Sequence, residues 1–462
     1  MKYISTRGQA PKLNFEGAML SGLARDGGLY VPERFPKFTK AEIKALRGKP
    51  YTDVAFAVCS KFTAGSIPAK DLKVMIAAAY DTFDHVAVTP LTQLAANHFL
   101  LELFHGPTLA FKDVAMQLLG RMMEWSLVRH QRRAVIVGAT SGDTGGAAVA
   151  AFAESKQASL FILFPQGRVS DVQRRQMTTV NSLSVYNIAV EGTFDDCQAI
   201  VKALFNDHAF RDTVGLAGIN SINWGRIMAQ IVYYFYAGVA LGAPDRAISF
   251  TVPSANFGNM FAGLAAKRMG LPIDRLVFAT NSNDILDRTL KTGAYEVTGV
   301  HPTMSPSMDI QVSSNFERLV YLANGADPAA VRAAMGSLAQ SGHFSLKAAA
   351  LKSIRSEFSS GATSEAETTA TMAQILRDTG ELIDTHTAVG VHVAQQQKVH
   401  SPMVTLATAH PAKFPDAVRQ ATGQQPHLPS RLSHLMTAPE SYTILPNSAS
   451  AVKEFILAKE GR

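Results

Sequence analysis

Ala134-Val135-Ile136-Val137-Gly138-Ala139-Thr140-Ser141-Gly142-Asp143-Thr144-Gly145-Gly146 runs straight into the alanine-rich Ala147-Ala148-Val149-Ala150-Ala151-Phe152. The apolar, β-branched start has no polar alternation, as expected of a strand buried on both faces. Glycines and hydroxyl residues then allow a tight loop, and the alanines favour a helix. Strand, small-residue loop and helix in that order make half of a βαβ unit.

The same order recurs on either side. Leu160–Phe164 leads into Pro165-Gln166-Gly167 and a polar helix beginning near Ser170. Tyr186–Val190 leads into Glu191-Gly192-Thr193 and a helix carrying Cys197, Ile200 and Leu204. Ser249–Val252 leads into Pro253–Asn259 and a helix ending at Gly270-Leu271-Pro272, and Leu276–Ala279 and Val404–Ala407 open two more units. Strands alternating with helices predict parallel sheets covered on both faces, and more than one such block predicts two α/β domains with a cleft between them.

The first 90 or so residues differ. Apolar residues recur at helical spacing through Val54, Ala55, Val58 and Phe62, and again through Leu72, Met75, Ile76 and Ala79. The expected division is therefore a mainly helical unit over 1–92, a smaller α/β domain over 93–220 and a larger one over 221–462. Residues 325–380 read as helical, with Ser359–Ser364 as a turn. Four prolines, at 426, 429, 439 and 446, predict a surface tail of loops and short helices.

With 462 residues, 47% of them hydrophobic and 18% charged, the chain can bury a large core. The net charge of +7 is scattered; the densest clusters, Arg132-Arg133 and Arg174-Arg175, are too short for a nucleic-acid arm. Cys59 and Cys197 have neither a disulfide framework nor a metal-ligand spacing, so both read as core residues and no metal site is expected. The start lacks a secretory apolar run. The apolar stretch 227–243 is shorter than the roughly 20 residues of a spanning helix and reads as a buried one. A cytoplasmic protein, monomeric or a small homo-oligomer, without nucleic-acid or membrane partners, is the expectation.

In open α/β sheets, ligands bind beyond the carboxyl ends of strands, where helix N-termini present free N–H groups to anions. Three loops have that chemistry: Gly138–Gly146, Ser254-Ala255-Asn256-Phe257-Gly258-Asn259 and Thr408-Ala409-His410-Pro411-Ala412-Lys413-Phe414. None ends in the Gly-Lys-Ser/Thr of a nucleotide-binding P-loop. Taken singly, each is as well explained by turns and helix caps. Lys112, in His105-Gly106-Pro107-Thr108-Leu109-Ala110-Phe111-Lys112-Asp113, has mostly apolar neighbours that would favour a neutral, nucleophilic amine. An ordinary lysine at a helix start is the alternative.

As a set, the segments change that balance. His105–Asp113 resembles the cofactor-lysine segment of the threonine synthases. Ala139–Gly146 resembles the serine/asparagine loop of the fold type II, tryptophan synthase β-like, pyridoxal phosphate enzymes. Ser254–Asn259 is similar to their cofactor-phosphate loop. Asp26–Pro32, Asn220–Arg226 and Thr408–Phe414 are similar to further segments of the longer, bacterial and fungal type of threonine synthase.

The resemblance implies that fold, with pyridoxal 5′-phosphate as cofactor and conversion of O-phospho-L-homoserine and water to L-threonine and phosphate. It implies that Lys112 holds the cofactor covalently and then moves protons at Cα, Cβ and Cγ. Ala255, Asn256, Phe257, Gly258 and Asn259 are implied to hold the cofactor phosphate, Thr408 the pyridine nitrogen, and Asp143 the neighbourhood of the O3′ oxygen. Ser141, Gly142 and Thr144 are implied to receive the substrate carboxylate. Arg226, Lys413 and Thr108 are candidates for the substrate phosphate. An asparagine occupies the Asp143 position in many proteins of this fold, which leaves the role of its charge open.

Overall fold

The computed structural model describes residues 1–461. A short antiparallel ribbon, Tyr3–Ser5 with Tyr30–Pro32, and the helices Phe15–Ser21, Lys40–Lys44, Tyr51–Thr63 and Ala69–Tyr80 form the N-terminal unit. Both predicted apolar stripes, Val54 to Phe62 and Leu72 to Ala79, face inward and are buried.

Two sheets follow. The larger has six strands in the order Phe358–Ala362, Ile273–Thr280, Ile248–Pro253, Met403–Ala407, His98–Glu102 and Leu91–Ala95. Every pair in it is parallel except the last. The smaller is wholly parallel: Thr443–Pro446, Val185–Glu191, Ala158–Pro165, Ala134–Ala139 and Leu216–Ala217. All eight residues of Ala158–Pro165 are buried, as a strand covered on both faces requires. Helix starts follow local signals: Ser170 caps Asp171–Thr178, and Thr193 forms a reciprocal capping box with Asp196 at the start of Phe194–Asn206.

The helix Trp224–Ala240 is buried along most of its length between the N-terminal helices and the helix Lys112–Arg129. Among the described residues no helix is long and apolar enough to cross a membrane. Cys59 and Cys197 lie in the core, where burial pushes both thiols up to about 12.

The sheets depart from the sequence expectations in three places. Residues 93–102 belong to the larger sheet, because His98–Glu102 pairs with Met403–Ala407, a partner 305 positions away that no local pattern reveals. Ser359–Ala362 is not part of a turn but lies in that sheet's edge strand. Its polar side chains are satisfied sideways, by Gln397 and Asp287, and Gly361 leaves room for Val393, whose Cγ1 would stand 2.9 Å from any Cβ added there. The C-terminal tail is not only a surface wrap. Thr443–Pro446 extends the smaller sheet, and Val452 and Ile456 of the helix Ala449–Lys459 complete its core.

Candidate active site

Three strand ends converge. The segment before Lys112 is laced to the segment after Met403–Ala407. The Phe111 amide donates to the Thr408 carbonyl at 2.9 Å, and the His410 amide donates to the Leu109 carbonyl at 3.0 Å. Leu109 has a left-handed φ of 61°, unusual for a branched residue and a mark of a loop held by its surroundings. Asp113, wholly buried, fixes the turn by accepting from the Thr108 amide at 2.7 Å and the Thr108 hydroxyl at 2.6 Å.

Lys112 therefore opens its helix facing Asp143, the first residue of the helix Asp143–Phe152 on the smaller sheet. Lys112 Nζ lies 3.4 Å from Asp143 Oδ2, and the Lys112 side chain is only 13% exposed. Burial lowers its amine pKa below the ordinary lysine value; Asp143 opposes that shift, while the positive charges of Arg226 and Lys413 add to it. Burial alone would raise the Asp143 carboxyl. Lys413 and Lys112, with the Gln173 amide, hold it well below the usual carboxylate range instead. The two lysines thus favour the ionised carboxylate.

Lys413 is wholly buried, and its ammonium group meets three acceptors: Asp143 Oδ1 at 2.9 Å, the Thr108 carbonyl at 2.8 Å and Gln176 Oε1 at 3.0 Å. Two of the three ammonium protons are thus spent in hydrogen bonds, and the Asp143 contact is an ion pair. Lys413 is a counter-ion to Asp143 and a brace between the two loops. Thr108, the third candidate, likewise has its hydroxyl committed to Asp113.

Arg226 behaves differently. It is buried at the first turn of Trp224–Ala240 and donates to the Ile219 carbonyl at 3.2 Å, while its Nε has no partner among the described residues. Burial pushes the guanidinium down to about 10, so it is still charged at neutral pH. A buried cation with an unused donor is a ready anion site.

The two glycine-bearing loops each end at a helix start whose N-cap residue makes no side-chain hydrogen bond to it. Gly142 precedes Asp143 with φ 135°, and Phe257 precedes Gly258 with φ 59°. Thr140 Oγ1 accepts from the Gly142 and Gly145 amides at 2.9 Å each, which leaves the amides of Asp143 and Thr144 as first-turn donors beside Ser141. In the other loop, Asn315 clamps the Asn256 carbonyl with its amide at 3.0 Å and its side chain at 2.9 Å, and Ser313 Oγ donates to the Ala255 carbonyl at 2.6 Å. Two of the loop's carbonyls are thereby held, and the N-cap residue of Gly258–Arg268 makes no side-chain hydrogen bond to its first turn. Asn259 sits in that first turn; Tyr233 and Tyr234 donate to its Oδ1, and its Nδ2 is buried without a partner.

A buried lysine of lowered pKa, two helix starts whose N-cap residues offer no side chain, and the orphaned Asn259 amide fit pyridoxal phosphate and a carboxylate-bearing substrate. Gln173, Gln176, Ser307, His386 and Asn315 also build this site. Sequence reading passes over all five, because each is an ordinary polar residue that becomes significant only through contacts with distant loops.

Comparison with known proteins agrees with this geometry. Family models match in sequence order: the threonine synthase N terminus over residues 2–80, the pyridoxal-phosphate dependent enzymes over 82–356 and the threonine synthase C-terminal region over 387–456. Threonine synthase of Pseudomonas aeruginosa is 51% identical over 459 residues, covering 99% of this chain and 98% of that protein. The crystal structure of threonine synthase from Brucella melitensis with pyridoxal phosphate bound superposes with a TM-score of 0.97 at 58% identity, over 99% of both chains. The yeast threonine synthase structure gives 0.93 at 40% identity, over 100% of this chain and 99% of that one. Residue pattern, fold and full-length similarity agree: the chain belongs to the threonine synthase family of fold type II pyridoxal-phosphate-dependent enzymes.

Proposed function

We infer that this enzyme converts O-phospho-L-homoserine and water to L-threonine and phosphate with pyridoxal phosphate as cofactor. The observation that carries the reading is the placement of Lys112. Its amine is buried, depressed in pKa by burial and by the positive charges of Arg226 and Lys413, and 3.4 Å from Asp143 at the start of a helix.

Pyridoxal phosphate, when bound, supplies an electron sink that makes C–H bonds near the amino-bearing carbon acidic. The rest of the chemistry falls to the chain. Lys112, with its pKa lowered, takes and returns protons at Cα, Cβ and Cγ of the substrate. Its proximity to the ionised Asp143 keeps the proton it picks up from leaving the site. The amides of Asp143 and Thr144, with Ser141 and Gly142, receive the substrate carboxylate. The amides of the Ala255–Asn259 loop and the Asn259 side chain receive the cofactor phosphate, and Thr408 faces the pyridine nitrogen. Arg226 takes the substrate phosphate, whose departure from Cγ it assists by holding the leaving group's charge. Water must add at Cβ only after that departure, so the cleft has to exclude it earlier.

The enzyme works in the cytoplasm on this small molecule, as a monomer or small homo-oligomer and with no nucleic-acid partner; the scattered charge and the two unpaired, buried cysteines support that reading. The test is to incubate the protein with pyridoxal phosphate and O-phospho-L-homoserine and to measure phosphate, threonine and 2-oxobutanoate together. Threonine formed in step with phosphate is the expected result. Phosphate with 2-oxobutanoate alone would make the enzyme a phospho-lyase, and no phosphate release would overturn the substrate.

A further inference from the structure

Asp143 receives one donor from a loop that neither cofactor nor substrate binding, as described above, employs. The loop joins the strand Ala294–Glu296 to the helix Phe316–Ala323 and is pinned by polar groups along its length. Asn281 Nδ2 donates to Thr303 Oγ1 and to Asp309 Oδ1, at 2.8 Å each, and Asn283 Nδ2 reaches the same Asp309 oxygen at 3.0 Å. Glu365 Oε2 accepts from the Met304 amide at 2.8 Å.

The last pin is a histidine. The Ser307 amide donates to His386 Nε2 at 3.2 Å, so Nε2 carries no proton and the ring proton sits on Nδ1, which donates to Asp384 Oδ2 at 2.8 Å. Asp384 is itself immobilised. It is wholly buried, caps the helix Thr385–Gln395, and accepts from the amides of His386 and Thr387 at 3.0 Å each. The ring also packs against Phe414, with centroids 4.8 Å apart.

This anchoring ends at one hydroxyl. Ser307 Oγ donates to Asp143 Oδ2 at 3.0 Å, the same oxygen that faces Lys112 Nζ at 3.4 Å. Serine, histidine and aspartate together suggest a nucleophile, but the geometry excludes it: the bare ring nitrogen is taken up by the Ser307 amide, so the hydroxyl has no base. The contact also crosses the cleft. Asp143 opens a helix after a strand of the smaller sheet, whereas His386 opens a helix that packs on the larger one.

We propose that Ser307, seated on the His386–Asp384 pair, is a positioning residue that sets Asp143 and, through it, the amine of Lys112 when the two sheets close on the cleft. Ser307 shares the charge on Oδ2 with Lys112. Without it that charge falls on the lysine alone, which holds the amine protonated and slows both its attack on an aldehyde and its proton transfers. The proposal rests on the reading of Lys112 as the cofactor lysine and acid–base group.

The test compares Ser307→Ala, Ser307→Thr, His386→Asn, His386→Gln and the double variant Ser307→Ala/His386→Asn. Glutamine can place an oxygen near the Nε2 position and keep the Ser307 amide; asparagine is too short. In apoprotein, the rate at which added pyridoxal phosphate couples to Lys112, followed by absorbance, is expected to fall at least threefold in S307A and in H386N. S307T and H386Q are expected to stay within twofold of the unsubstituted protein, and the double variant to match S307A. In holoenzyme, kcat is expected to fall tenfold or more in S307A with KM changed less than twofold. Coupling in S307A at the unsubstituted rate would overturn the proposal, whatever the substrate proves to be. So would an H386N defect that multiplies in full on top of S307A, because His386 would then act by some route other than Ser307. The coupling rate needs no substrate, so a failure of the substrate assignment is separate from a failure of this proposal.

Discussion

Lys413 Nζ lies 2.9 Å from Asp143 Oδ1, and the lysine side chain is wholly buried. One residue follows the strand Met403–Ala407 of the larger sheet, and the other opens the helix behind Ala134–Ala139 of the smaller. The pair offsets the burial that would raise the carboxyl's pKa, and it ties a loop of the larger sheet to a helix start of the smaller beside Lys112.

Removing one member of such a pair leaves a buried charge without its partner, at a cost of about 3 kcal/mol. Lys413→Met is therefore expected to lower the urea midpoint of the apoprotein by an amount corresponding to roughly that figure, and to lower kcat. A normal midpoint with a raised KM for the phosphorylated substrate would instead make Lys413 a substrate ligand.

Lys112 predicts a trade between stability and function. Its lowered pKa means that, between that value and the ordinary 10.5, the folded protein binds fewer protons there than the unfolded chain. Stability of the unsubstituted apoprotein therefore rises with pH through this window. Lys112→Met lacks the rise: it should be the more stable apoprotein at pH 7, with the difference closing as pH approaches 10.5. The same substitution should cost about 10³-fold or more in phosphate release, and borohydride should no longer fix the cofactor to the chain. Urea titrations at several pH values read the first effect, and peptide mapping the last.

Arg226→Gln removes a buried charge that has few bonds to lose. A hydrogen bond to a charged group contributes about 1.5–3 kcal/mol, so KM for O-phospho-L-homoserine should rise by about tenfold or more. Steady-state kinetics check this, and an unchanged KM would remove Arg226 from the substrate site.

Gly142→Ala tests the turn before Asp143. At φ 135° any side chain is strained, and the new Cβ would stand 2.4 Å from Cδ of Gln173, whose amide donates to Asp143 at 2.9 Å. A loss of about 1–3 kcal/mol in urea unfolding is expected from the backbone alone, with kcat reduced because Gln173 must leave the carboxylate.

Much of this molecule can be read along the chain. Runs such as Ala134–Val137 and Leu160–Phe164 declare buried parallel strands, because a strand covered on both faces has no polar alternation, and the small-residue loops after them declare helix starts open to anions. Local chemistry of that kind needs no knowledge of the rest of the chain, whereas the grouping of Lys112, the Ser254–Asn259 loop and the Thr408–Phe414 loop into one expected site came from their resemblance to the threonine synthases.

Tertiary structure decided what depends on partners. The sheet assignment of His98–Glu102, the edge strand through Ser359–Ala362 and the fifth strand at Thr443–Pro446 follow from hydrogen bonds to residues far away in sequence. The roles of Lys413 and Asp143 are of the same kind. A lysine in a loop reads as a solvated cation or a phosphate ligand until burial, two hydrogen bonds and an ion pair tie it to Thr108, Gln176 and Asp143. Ser307 and His386 carry no sequence signal at all, since a hydrogen bond across a cleft is a property of two surfaces brought together and not of either segment alone.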